Sequence, residues 1–259
     1  RTLRGKSVLL LFYETSSRTR TSFELASKRL SADTVNIAAS TSAVVKGESL
    51  IDTAKTIEAM KADFVVIRHS MSGAAHIIAK TISASIINAG DGMHEHPTQG
   101  LLDMFTIIEK KGKIKGLNIA IVGDILHSRV ARSNIWGLNK LGANVFVVGP
   151  ATLIPKDIEK LNVEVHHNIS KIIHKLDVIN ILRIQKERQE QHLFPSLEEY
   201  SELFGINSEK LKNAKSDILI MHPGPMNRGI EISSEVADSK NSVITEQVTN
   251  YINLKYRGK

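Results

Sequence analysis

The sequence predicts an α/β protein, and three observations predict it. Short apolar runs such as Ser7–Tyr13 and Asn118–Val122 alternate along the chain with longer stretches whose apolar residues recur at helical spacing. That alternation is the pattern of strands joined by helices. The 259 residues suffice for one large or two modest domains, each with its own core. Hydrophobic residues at 42% and charged residues at 24% give the balance of a soluble globular chain.

The elements follow in order. Ser7–Tyr13 reads as a buried strand. Ser17–Leu30 reads as a helix with Phe23, Ala26 and Leu30 on one face. Ser49–Met60 is a second helix, with Leu50, Ala54, Ile57 and Met60 at helical spacing. Asp63–Arg68 is a strand, Gly73–Ile82 a helix and Ser85–Ala89 a short strand. Pro97–Lys110 is a helix opened by a proline, which suits the first turn because its missing N–H is not needed there. The charged segment Lys110–Gly116 holds two glycines and marks a domain boundary, between 1–112 and 113–242. A second set then begins, with strands at Asn118–Val122, Val145–Val148, Val163–His166, Val178–Leu182 and Asp217–Met221. Helices are expected at Arg129–Leu141, Ile169–Lys175, Leu197–Phe204 and Ser208–Asn213, and a final helix over about 243–259.

Composition excludes several classes of function. No apolar run reaches the roughly 20 residues of a membrane span, and no signal peptide pattern is present. There is no cysteine, so disulfides and thiolate metal sites are excluded, and a cytoplasmic location is expected. The net charge of +7 is scattered and interrupted by acids, and aromatic residues make up 5%, few for stacking bases. A solvated surface explains this better than nucleic-acid binding. Small anionic substrates need only a few convergent arginines. The first residue is Arg1 rather than Met, so a piece of a longer product, or a renumbered one, is expected.

Two motifs have chemistry legible from the residues alone. At the end of the first strand, Ser16-Ser17-Arg18-Thr19-Arg20 opens a helix. A helix N-terminus offers unpaired N–H groups and the positive dipole end, and Arg18 adds a bidentate fork, so the string suits a phosphate. At Gly123–Arg129 a strand, a glycine and a helix succeed one another. Gly-x-Gly-x-x-Gly is absent and no acid follows the next strand, so a dinucleotide is not expected. His94 and His96 lack an evident third partner, so no metal is expected.

Seven strings, in order along nearly the whole chain, resemble the aspartate/ornithine carbamoyltransferase family. Ser16–Arg20 is similar to its phosphate signature Ser-Thr-Arg-Thr-Arg, with Ser17 keeping the hydroxyl. His96-Pro-Thr-Gln99 resembles its His-Pro-x-Gln, whose His donates to the carbamoyl phosphate carbonyl and whose Gln holds the amide. Such a donor stabilises the charge that grows on that oxygen. Arg68 matches its second phosphate arginine. Ser40–Glu48 resembles a loop that enters the neighbouring subunit's site, with Ser42 and Lys46 as its functional residues. Arg129 and Arg183 match carboxylate ligands for the acceptor, with Gln185 beside them. His222-Pro-Gly224-Pro225 resembles a turn whose carbonyls accept from the carbamoyl NH2.

The resemblance implies two similar-sized three-layer αβα domains with mainly parallel sheets, linked by helices. The final helix, about 243–259, would return to the first. It also implies transfer of the carbamoyl group of carbamoyl phosphate to the amino group of L-aspartate, giving N-carbamoyl-L-aspartate and phosphate. Catalysis would fall to Arg18, Thr19, Arg68 and His96. Carbamoyl phosphate would be held by these with Ser16, Ser17, Gln99, Gly224 and Pro225, and aspartate by Lys46, Arg129, Arg183 and Gln185. No cofactor is implied. A homotrimer with shared active sites is, and regulatory chains are left open. Ornithine as acceptor is disfavoured, because the family's ornithine enzymes carry His-Cys-Leu-Pro where this chain has His-Pro-Gly-Pro. A non-catalytic relative would have lost Arg18, His96 or Arg183, and all three are present.

Overall fold

The computed structural model describes residues 2–38, 48–184 and 196–256. Ser42, Lys46 and Gln185 lie outside the described residues. The chain forms two compact units, residues 1–99 with 249–259 and residues 100–248.

The first unit holds β1 (Ser7–Phe12), α1 (Ser17–Arg29), β2 (Asp33–Ala38), α2 (Leu50–Ala59), β3 (Phe64–His69), α3 (Ala74–Thr81) and β4 (Ser85–Asp91). Its sheet is parallel throughout, in the order β2-β1-β3-β4. Side chains alternate across a strand. Leu9, Leu11, Val65 and Ile67 therefore meet Ala54 and Ile57 of α2 and Ala74 and Ile78 of α3 on one face. Val8, Leu10, Phe12 and Val66 meet Phe23 of α1 on the other. The unit is thus a three-layer sandwich.

The second unit repeats the plan. It is built on β5 (Asn118–Val122), α5 (Arg129–Lys140), β6 (Asn144–Val148), β7 (Glu164–His166), β8 (Val178–Ile181), α6 (Leu197–Phe204), β9 (Leu219–Met221) and α7 (Ser234–Ala237). Its five parallel strands run β7-β6-β5-β8-β9. Ile119, Ile121, Val145 and Val147 pack on Ile135 and Leu138 of α5, whereas Ala120, Val122, Phe146 and Ile179 pack on Ile169, Ile173 and Val236. Two helices, α4 (Pro97–Lys111) and α8 (Ile244–Tyr256), have residues in both units. The division between these compact units falls inside α4, at Gln99/Gly100. The reason is packing, since Met104 and Ile107 of α4 join the core of the second unit.

Three local expectations differ from the structure. β2 is a strand that the sequence reading passes over. It lies at the sheet edge and leaves Val35 52% exposed, so it lacks the apolar run of a central strand. Ile169–Lys175 forms two 3-10 turns, the first begun by Asn168, whose side chain accepts from Ser170 N–H. Ser208–Asn213 forms turns rather than a helix, with Asn207 accepting the Lys210 N–H at 2.9 Å.

Candidate active site

In an open parallel sheet, ligands bind beyond the carboxyl ends of the strands where the strand order reverses. In the first unit the chain moves outward from β1 to β2 and then crosses to β3, so the reversal lies between β1 and β3. Ser16–Thr19 follows β1, and Arg68 sits at the end of β3. The strand ends are joined there, because Tyr13 N–H donates to Arg68 O at 2.9 Å.

The start of α1 carries positive charge with no acid of its own to balance it. Ser16 occupies the N-cap yet makes no side-chain capping bond, and no acid lies in the first turn. Arg18 and Arg20 stand where the helix dipole disfavours cations. An acidic ligand would relieve that. Thr19 is buried, and its hydroxyl pairs with the Tyr251 hydroxyl at 2.9 Å. The Arg68 guanidinium is held on two sides, with Nε 3.2 Å from Glu14 Oε2 and Nη1 donating to Ala89 O at 3.2 Å. Its Nη1 also lies 3.5 Å from Nε2 of the buried His96. Gln99 is buried one turn further on.

Asp91 organises the loop that delivers His96, a role the sequence reading missed. Its carboxylate accepts from Gly73 N–H at 2.6 Å, Asn88 Nδ2 at 2.8 Å and Glu95 N–H at 3.1 Å, and it faces His94 Nδ1 at 3.0 Å. Beside it Gly92 has a φ of +51°, and a Cβ there would meet Ser70 O at 2.8 Å, so only glycine fits. Burial works against the charge of Asp91, but the bonds from Asn88, Gly73 and His94 outweigh it and hold the carboxyl below its ordinary value. A depressed folded-state pKa stabilises the fold at every pH above the unfolded value, and that contribution disappears as pH falls through the folded one. Asp91→Asn is therefore expected to lower stability by about 1–3 kcal/mol at neutral pH. The gap from the unchanged chain should close below about pH 4. Urea unfolding at pH 7 and pH 3 checks it; a pH-independent gap would count against the ionised carboxylate.

The second unit has its own reversal, between β5 and β8. Gly123 follows β5 with a φ of +127°, and a Cβ would meet Leu182 and Tyr200 at 3.2 Å. The chain then turns into α5, capped by Ser128, whose hydroxyl accepts from Ala131 N–H at 3.1 Å. Arg129 is the first residue of that helix and is 3% exposed, a buried cation at the dipole's positive end. Asp124 accepts from His127 N–H at 3.1 Å and lies 2.9 Å from its Nδ1. Arg183 follows β8, where Leu182 N–H donates to Val122 O at 2.8 Å. Arg129 and Arg183 thus leave neighbouring strand ends. Gly224 and Pro225 lie in the loop after β9, joined by a cis peptide bond. Among the described residues, no cluster of three or more His, Asp or Glu side chains is arranged to hold a metal.

The comparisons with known proteins divide the chain in two near the end of α4. Residues 1–109 match the carbamoyl-phosphate-binding domain of the aspartate/ornithine carbamoyltransferases, and residues 115–255 match their aspartate/ornithine-binding domain. The aspartate carbamoyltransferase catalytic subunit of Endomicrobium trichonymphae is 65% identical over 98% of this chain and 81% of its own length. That of Desulforamulus reducens is 63% identical over the same shares. Among solved structures, aspartate transcarbamoylase from Trypanosoma cruzi in complex with carbamoyl phosphate superposes with a TM-score of 0.89 at 31% identity, covering 99% of this chain and 83% of that one. With two domain matches spanning nearly all of its residues and relatives of this similarity, the chain belongs to the aspartate/ornithine carbamoyltransferase family.

Proposed function

We propose that the chain transfers the carbamoyl group of carbamoyl phosphate to the amino group of L-aspartate, giving N-carbamoyl-L-aspartate and phosphate. One observation carries the reading: the candidate arginines of each unit follow strands that flank the reversal of its sheet. Ser16, Ser17, Arg18, Thr19 and Arg68 hold the phosphate. His96 and Arg68 polarise the carbonyl, and Gln99 orients the amide. Arg129 and Arg183 take the two carboxylates of aspartate, a fork for each. Gln185 and the Lys46 of a neighbouring copy complete the acceptor site, in a homotrimer whose loops, with Ser42, are shared.

The chemistry balances without a cofactor. The neutral amine attacks the carbonyl carbon, and the C–N bond forms as the oxygen gains charge. The C–O bond to phosphate then breaks, and the leaving phosphate takes the amine proton. Holding both substrates in line supplies much of the acceleration. Aspartate as acceptor is supported by the relatives named for it and by a chain without cysteine. No helix among the described residues is long and apolar enough to cross a membrane, which accords with action in the cytoplasm. The test is product formation from carbamoyl phosphate with aspartate and, separately, with ornithine. Carbamoyl-aspartate should form, with ornithine at least a hundredfold slower, since a site of paired arginines leaves the cationic side chain unpaired. Equal rates with both acceptors would end the assignment to aspartate.

A further inference from the structure

The second unit carries a cavity that the proposed reaction does not use. It measures about 240 Å³ and lies between α5, the turn after β5 and the segment 155–161. All of its lining belongs to the second unit, and neither Arg129 nor Arg183 is part of it. Two tethers fix its walls. Leu126 N–H donates to Leu153 O at 2.9 Å, and Asn139 Nδ2 donates to Leu161 O at 2.6 Å. Between these tethers a 3-10 turn, Ile158–Leu161, is flanked by Asp157 and Asn162, with φ of +60° and +57°. Asp and Asn enter that left-handed region more readily than other residues with a side chain. The arch over the cavity is therefore written into the sequence.

The lining has two characters. Ile125, Ile135 and Ile158 are buried and, with Leu126 and Leu161, make an apolar floor. Around it stand Arg132, Lys156 and Lys160 against a single acid, Asp157. Lys160 Nζ lies 3.3 Å from that acid, so two cations of the lining are left over. Arg132 Nε is buried and has no hydrogen-bond partner among the described residues. Buried donors are almost always paired, and the edge of a guanidinium is shaped for a carboxylate. An apolar cavity of about 150 Å³ accepts a benzene ring. This one has room for a ring and an acid group.

We infer that the cavity binds a small carboxylate whose apolar body is about the size of one ring. The carboxylate pairs with Arg132, and the body lies against Ile135 and Ile158. The apolar floor disfavours a bare inorganic anion, and the surplus of positive charge disfavours a neutral or cationic ligand. The inference does not depend on carbamoyl transfer.

NMR titrations of the full chain with phenylacetate, phenylacetamide and acetate test it, each followed by the line width of the added compound. Phenylacetate should bind with a Kd of about 1 mM. The amide keeps the shape without the charge, and acetate keeps the charge without the ring. Each should bind at least about tenfold more weakly than phenylacetate. Saturating phosphate and N-carbamoyl-L-aspartate should leave phenylacetate bound, because they address the candidate active site. Arg132→Ala should weaken phenylacetate about tenfold, the scale of a charge-assisted hydrogen bond, and leave the amide unchanged. Should that variant fail to fold, Lys156→Gln at the exposed rim should weaken phenylacetate about twofold to fivefold and again spare the amide. An amide that binds as well as the acid overturns the inference. So does displacement by phosphate and carbamoyl-aspartate, a variant without selective effect, or no binding of phenylacetate below about 10 mM.

Discussion

Replacing Arg18 by alanine should lower kcat/KM for carbamoyl phosphate by about a thousandfold, the effect of losing a bidentate pair worth about 3–6 kcal/mol. Stability should barely change. Arg18 is exposed and in the first turn of α1, where a cation opposes the helix dipole. Alanine there is the better helix former. The two readouts therefore separate, since activity collapses while the melting temperature stays within about 2 °C. Arg18→Lys keeps the charge without the planar fork and should fall between. Steady-state kinetics and a thermal melt on the three chains decide it. An alanine variant within tenfold of the unchanged chain would remove Arg18 from the phosphate site.

Asp103→Ala should have the opposite profile, a loss of stability with no charge removed from the candidate phosphate site. Asp103 is fully buried and accepts from Gln247 at 2.9 Å, Asn134 at 2.8 Å and Asn180 at 3.2 Å. These donors come from α8, α5 and β8, so one carboxylate ties three elements of the second unit to α4. Alanine leaves three buried donors facing a void. At about 1–3 kcal/mol for each orphaned group, partly offset by water entering the space, a net loss of about 4 kcal/mol is expected. The midpoint of urea unfolding measures it. A loss under about 1 kcal/mol would mean the amides find other partners, and the network is then not what holds these elements together.

The elements legible in the sequence were those whose signal is local. β5 matches its expected bounds, and α4 runs one residue beyond Lys110. Its face was only half readable: the helical spacing of Leu101, Leu102, Phe105 and Ile108 suggests one face, yet Leu101 and Ile108 are exposed and Met104 and Ile107 are buried instead. The candidate arginines stand out in the sequence because their strings are contiguous. What escaped depends on residues far apart in sequence. Asp103 looks like a stray acid in a helix until Gln247, 144 residues later, is brought to it. Glu231 was visible only as the end of a string, since its contact with His222 Nε2 at 3.2 Å depends on the turn folding back. β2 was lost because an edge strand pairs on one side and needs few apolar residues.

The hydroxyl contact between Thr19 and Tyr251 spans 232 residues. The first unit is therefore made of both ends of the described chain, whereas the second is one uninterrupted stretch from 100 to 248. During synthesis the second unit has all of its residues before the first one does. The candidate phosphate site is begun early, and Thr19 meets its partner only when Tyr251 has cleared the ribosome tunnel. A stalled or clipped product that stops short of Tyr251 would keep every candidate phosphate-binding residue of α1 and still lack the side chain that pairs with Thr19.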